Sequence, residues 1–151
     1  MSKKAAAVAD VVEEPVVDSV PETSGSGAFH FPDGSRYEGE YQSFNQVVMR
    51  HGMGTFINGP EKYTGAWQKD QMEGKGVYYF ASGAFFEGEF RNNLFVGDGE
   101  YRWSDGATYV GQWSHSKMHG TGCYKDKDGV EWKGSFVNGK YDNGRAFLTL
   151  R

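Results

Sequence analysis

GKGVYYFASGAFFEGEFR, residues 74–91, sets two short aromatic-rich runs on either side of Ala81-Ser82-Gly83. Glycine at this density breaks helices, and no helical spacing of apolar residues is present. Aromatic runs bounded by a small, glycine-ended break predict a β-hairpin. Strand side chains alternate between faces. In the second run Phe86, Gly88 and Phe90 therefore share one face, and Glu87 and Glu89 the other.

The hairpin is not unique. All 22 glycines and every aromatic residue lie from Gly25 onward. Gly-x-Gly recurs at 25/27, 52/54, 74/76, 97/99 and 120/122, each followed two residues later by a ring: Phe29, Phe56, Tyr78, Tyr101 and Tyr124. An aromatic-x-Gly-x-aromatic unit recurs at 37–41, 63–67, 86–90, 109–113 and 132–136, with spacings of 26, 23, 23 and 23 residues. A turn glycine stands ahead of each unit: Gly34, Gly59, Gly83, Gly106 and Gly129. Since 20 of the 22 glycines fall on these positions, the chain is a repeat protein.

The expected fold is all-β: an elongated, twisted antiparallel meander of repeated hairpins, each leaning on its neighbours as in a solenoid. Five hairpins make roughly ten strands, and at about 4.8 Å apiece a sheet on the order of 45–50 Å long. One face carries rings separated by glycine gaps over which neighbouring rings can lie. The other is mostly polar, with Glu38, Glu40, Thr64, Ala66, Glu87, Glu89, Lys133 and Ser135. No second layer covers the rings, so part of an aromatic trough is expected to stay open. The segment joining one hairpin to the next, such as that around Ser114–His119, reads as a connecting loop.

The pattern Tyr-x-Gly-x-Trp followed by His-Gly-x-Gly, best seen in YVGQWSHSKMHGTG (109–122), resembles the MORN repeat, the membrane occupation and recognition nexus. The resemblance runs from Gly25 to about residue 144, in a repeat domain taken as 25–151. The glycine usual three residues after each unit is replaced by Asp70, Asn93 and Ser116, and kept as Gly139. The first copy carries extra residues within QSFNQVVMRHG (42–52). The last ends in DNGRA, which predicts a closing half-repeat and an edge strand over 145–151.

Residues 1–24 differ in kind. They hold no ring and no glycine, two prolines, and Lys3 and Lys4 against Asp10, Glu13, Glu14, Asp18 and Glu22. This acidic segment lacks the apolar surface to offset chain entropy and reads as a disordered tail. It takes most of the net charge of −4, leaving the repeats close to neutral. That argues against nucleic-acid binding and disfavours docking on anionic lipid. One cysteine, Cys123, excludes an intrachain disulfide, and no apolar run reaches membrane-span length. The start of the chain lacks the apolar core of a signal peptide. The expectation is a soluble, cytoplasmic chain.

Apparent chemistry dissolves into the repeat. His115 and His119 lack a third ligand nearby, and His119 and His51 share a repeat position. Gly120-Thr121-Gly122 opens no helix and so makes no phosphate cradle. Cys123 occupies a back-face slot also filled by Thr55, Val77 and Glu100. No catalytic set, metal site or cofactor is expected, and the chain reads as a non-enzyme. The candidate site is the ring ladder Tyr63, Trp67, Phe86, Phe90, Tyr109, Trp113 and Trp132: each ring reads either as core that holds the sheet together or, for a minority left partly open, as part of a groove for a partner segment. Two features peculiar to the chain are either a specificity patch or local packing: Phe44, Val47 and Val48 in the insertion, and Tyr79 with Phe85 on the back face.

The resemblance implies a protein-interaction scaffold. Short chains built of MORN repeats are often cytoskeletal or ciliary and flagellar, including radial-spoke subunits of the axoneme. The partners would be other protein subunits of a larger assembly, and exposed terminal strands leave room for a homodimer. The alternatives are a peripheral membrane or phosphoinositide-binding module and a targeting subunit for an enzyme held in trans.

Overall fold

The computed structural model describes residues 22–151, so all of the expected acidic tail except its last three residues lies outside it. Within that span the chain forms one open antiparallel sheet whose strands follow one another in sequence order. They are β1 (Ser24–His30), β2 (Arg36–Phe44), β3 (Val47–Asn58), β4 (Glu61–Gln68), β5 (Gln71–Tyr79) and β6 (Phe85–Arg91). They continue as β7 (Leu94–Arg102), β8 (Thr108–Ser114), β9 (Lys117–Lys125), β10 (Glu131–Val137), β11 (Lys140–Asp142) and β12 (Phe147–Leu148). The all-β meander read from the repeat is the observed fold. Beyond the ten strands of the five hairpins, the expected closing half-repeat and edge strand appear as the short strands β11 and β12.

Two kinds of turn alternate. Within a hairpin the long turn closes on a left-handed glycine, as at Gly83 with φ 89°, where Phe80 N–H also donates to Ala84 O at 2.9 Å. Between hairpins the expected loop is absent. β8 ends at Ser114, β9 starts at Lys117, and His115-Ser116 alone reverses the chain. Both residues have positive φ (49° and 62°), the pattern whose twist matches paired strands. The insertion is likewise no loop. It lengthens β2 and β3 as a paired hairpin, with Phe44 opposite Val47 and Ser43 opposite Val48, closed by Asn45-Gln46.

Those tight turns are stitched to the preceding hairpin. Asp70 N–H donates to Arg50 O at 3.0 Å, while its Oδ1 accepts Arg50 N–H at 2.8 Å. Asn93 does the same to Met72, and Ser116 to Phe95. An oxygen-bearing side chain here gains a bond across the repeat boundary that glycine cannot make, which accounts for Asp70, Asn93 and Ser116. The position before Gly-x-Gly reaches across as well. Nδ1 of His51 accepts Lys69 N–H at 3.2 Å, and Nδ1 of His119 accepts Asn138 N–H at 3.3 Å.

The glycines of the motif have two different tasks. The first of each internal pair sits in a bulge: between Gly65↔Gly76 and Trp67↔Met72, Ala66 alone faces Glu73, Gly74 and Lys75. Gly74 has φ 84°, a left-handed conformation that a side chain would strain. The second joins a row of glycines paired across the sheet, running Gly27, Gly39, Gly54, Gly65, Gly76, Gly88, Gly99, Gly111, Gly122, Gly134.

Rings fill that furrow. Tyr37, Tyr63, Phe86 and Tyr109 bend along it and are at most 1% exposed. Tyr63 Oη donates to Ala66 O at 2.8 Å and Tyr109 Oη to Gln112 O at 2.9 Å. Each also meets the last ring of the following unit edge-on: Tyr37–Trp67, Tyr63–Phe90, Phe86–Trp113 and Tyr109–Phe136, at 4.9–5.6 Å between centroids. With the contacts inside each unit, such as Tyr63–Trp67 at 5.0 Å and 90°, a continuous edge-to-face chain spans the sheet. Such pairs add about 0.5–1.5 kcal/mol each beyond burial. A single sheet thus makes its own core, using bare glycine backbone as the second wall.

Candidate functional site

Most of the ladder named from sequence is that core. Tyr63, Trp67, Phe86, Phe90, Tyr109 and Trp113 are at most 7% exposed, and only Trp132 is half-buried. Their edges already face one another, and Trp67 and Trp113 use Nε1–H on Gly54 O and Gly99 O, at 3.1 and 3.0 Å. Little of these side chains is left to meet a partner.

The rings that reach solvent lie beside them on the same face. Phe31 is 40% exposed, while Phe56, Tyr78, Phe80, Phe95, Tyr101 and Trp103 are half-buried. They form a broken line of contacts: Phe31–Phe56 at 6.3 Å, Tyr78–Phe80 at 4.7 Å, Phe80–Tyr101 at 5.5 Å and Tyr101–Trp103 at 4.6 Å. Phe31, Phe80 and Trp103 were not picked out from sequence. The signal was present, since each stands four residues after a Gly-x-Gly, outside the five-residue unit on which the period was read.

The face accepts cations at two places. The Arg50 guanidinium stands 4.2 Å from the Trp67 ring centroid and 5.0 Å from that of Phe56, with its Nε 3.1 Å from Asp70 Oδ1. Arg151 lies 4.7 Å over Trp103 and grips Asp105 with both terminal nitrogens, at 2.8 and 2.9 Å. Asp105 is held below its ordinary pKa first by the Ala107 N–H and then by Arg151. Burial drives Tyr37, Tyr63, Tyr78 and Tyr109 up to about 12; at Tyr78 the Glu61 carboxylate, 2.7 Å from its hydroxyl, adds to the effect.

The second group of sequence candidates divides. Phe44 packs on His51 at 5.1 Å with Lys69 Nζ 4.9 Å above it, whereas Val47 and Val48 are half-exposed along the lengthened hairpin. Tyr79 and Phe85 do meet on the back face as cross-strand partners, at 6.0 Å. Lys62 and Arg102 flank them, 4.6 Å over Tyr79 and 5.5 Å over Phe85. Next to this pair Glu87 and Glu100 stand in direct register across β6 and β7. Arg102 also pairs with Glu100 at 3.5 Å, so this back-face patch carries both signs of charge. Among the described residues no helix is long and apolar enough to cross a membrane.

A family model described as the MORN repeat matches residues 23–36, 63–85, 86–108 and 109–131, more than half of the chain. The unmatched stretch between the first two holds the lengthened β2–β3 hairpin. Over 76 residues, 46% of this chain, the sequence is 38% identical to alsin of Mus musculus and of Rattus norvegicus, and 35% identical to alsin of Homo sapiens. The chain spans 4% of the length of those relatives.

Proposed function

The chain belongs to the MORN-repeat family, and from that premise we propose a non-catalytic interaction scaffold whose aromatic face grips a segment of a partner protein. The observation that carries this reading is the line of half-exposed rings from Phe31 to Trp103, which pack on the buried ladder with one side and leave the other to solvent. Exposed aromatic surface on a rigid sheet suits an extended or helical partner segment, with Tyr and Trp as anchors. The near-neutral repeats favour a protein over an anionic lipid surface. The family resemblance supports a cytoskeletal or axonemal location, which tagged localisation tests.

The deciding experiment compares partner capture from native cells by the wild-type chain, Phe80→Ser/Tyr101→Ser and the back-face control Val110→Ser. The proposal expects a specific partner lost from the first variant and kept by the second, with both variants folded by circular dichroism. Undiminished capture by folded Phe80→Ser/Tyr101→Ser overturns it. Salt-sensitive flotation on anionic vesicles instead favours a membrane role.

A further inference from the structure

The segment that closes the repeat array turns back toward the aromatic face. After β12 the chain places Leu150 against the core rings and sets Arg151 over Trp103, in a bidentate pair with Asp105. Its own anchorage is slight. β12 pairs with β11 at only two positions, and Phe147 and Leu148 are 58% and 37% exposed. Beside it lies an open cleft of about 330 Å³, lined in part by Phe95, Tyr101, Trp103, Trp113, Met118 and Arg151.

The receiving groups, by contrast, are held by contacts other than the arginine. Asp105 lies in the turn between β7 and β8, where its Oδ1 accepts Ala107 N–H at 3.0 Å, which fixes the carboxylate's orientation. Trp103 stands two residues earlier and is steadied by Tyr101 at 4.6 Å and Tyr124 at 5.6 Å. A ring face beside an oriented carboxylate is the chemistry that selects a guanidinium: one surface for stacking, two oxygens for its fork of donors. The β1–β2 turn repeats the arrangement, with Phe31 two residues before Asp33 and Asp33 Oδ1 accepting Ser35 N–H at 2.9 Å.

We propose that Trp103 and Asp105 form an arginine-binding site on the aromatic face, which Leu150-Arg151 occupies in cis and which an arginine-bearing partner segment takes over by displacing them. The takeover rests on the partner-segment reading above; the selectivity of the site for arginine does not. Arg50, stacked on Trp67 and paired with Asp70, shows the same face holding a second guanidinium by the same means. An aliphatic residue directly before the arginine completes the pattern, since Leu150 packs against the core beside it. Lysine is a poor substitute, because a point charge neither stacks nor forks.

The test uses the full chain opened by Leu150→Ser/Arg151→Gln and a fluorescently labelled peptide, Ala-Phe-Leu-Thr-Leu-Arg, read by anisotropy. The peptide is expected to bind the opened chain at least tenfold tighter than the wild-type chain. Replacing its arginine by glutamine, or adding Asp105→Asn to the opened chain, is expected to cost at least tenfold. Asp105→Asn keeps the acceptor for Ala107 N–H, so the turn survives, and circular dichroism checks that each variant is folded. Equal binding of the arginine and glutamine peptides, or no gain on opening, overturns the proposal. Arginine selectivity combined with partner capture that survives Phe80→Ser/Tyr101→Ser keeps the site and removes the partner-segment reading instead.

Discussion

The ring of Tyr63 lies across Gly76 of the neighbouring strand, with its Cε2 2.6 Å from where a Cβ on that glycine would stand. No real Cβ tolerates that approach, and the ring cannot move aside. It is wedged edge-on against Trp67 and Phe90 and tied to Ala66 O by its hydroxyl. Gly76→Ala is therefore expected to destabilise by about 1–3 kcal/mol through overpacking. Gly83→Ala would meet only Ser104 Cβ, at an ordinary 3.9 Å, so it strains chiefly φ and should cost about 1–2 kcal/mol. Urea melts of the two variants check the order; a Gly76→Ala chain as stable as wild type would refute the furrow as the core's second wall.

The bonds across repeat boundaries make a finer prediction at Asp70. Asparagine keeps both the oxygen that accepts Arg50 N–H and the tolerance for φ 68°. Alanine loses the first and resists the second, and should cost about 1–2 kcal/mol. Denaturation midpoints should fall clearly for Asp70→Ala and little for Asp70→Asn. Equal losses would mean that the ion pair with Arg50, not the stitch, is what matters.

Alkaline pH should unfold the sheet. Burial raises Tyr37, Tyr63, Tyr78 and Tyr109 to about 12, against about 10 in an unfolded chain. Between those values the unfolded state sheds protons that the folded state keeps. Stability is then full below about pH 10 and falls as pH rises toward 12. Tyrosinate absorbance near 295 nm, followed with circular dichroism, should show these four ionising together with loss of the sheet. Their ionisation on an intact fold would contradict the burial.

Acid acts at the other end of the scale and on one segment. Asp105 has its pKa lowered by Ala107 N–H and by Arg151, so its contribution is complete above the ordinary aspartate value near 3.9 and is lost as pH falls through the lowered one. Hydrogen exchange over residues 147–151 should stay flat, after correction for intrinsic rates, down to about pH 4 and then rise. Asp105→Asn should show the fast exchange already at neutral pH. An identical profile in both chains would mean that Leu150 alone holds the segment.

The hairpins, their period and the alternation of faces were legible because each rests on local rules. Gly83 must turn, Phe86 and Phe90 must share a face, and 23-residue spacing must stack like on like. The rest depended on what crosses between strands. That Gly74 bulges while Gly76 is covered follows from pairing with β4, not from the motif, in which both are simply glycine. Tyr109 and Trp113 look like anchors in a linear reading, yet the furrow draws them in and leaves Phe80 and Trp103 to solvent. His115-Ser116 reads as loop because neither residue advertises the positive φ that it adopts. Arg151 and Asp105 are 46 residues apart, and no local pattern announces their meeting.

The unbroken row of paired glycines has a metric consequence. Every 23-residue copy adds two strands, and so roughly 10 Å, in one direction. Nothing in the row fixes how many copies there are, because each furrow segment is walled only by its immediate neighbours. Duplication or loss of one copy would shift the distance between the two ends of the sheet by a fixed step and leave the interior of every other copy as it was. Such a chain works as a graduated bar, with its span written in its repeat number.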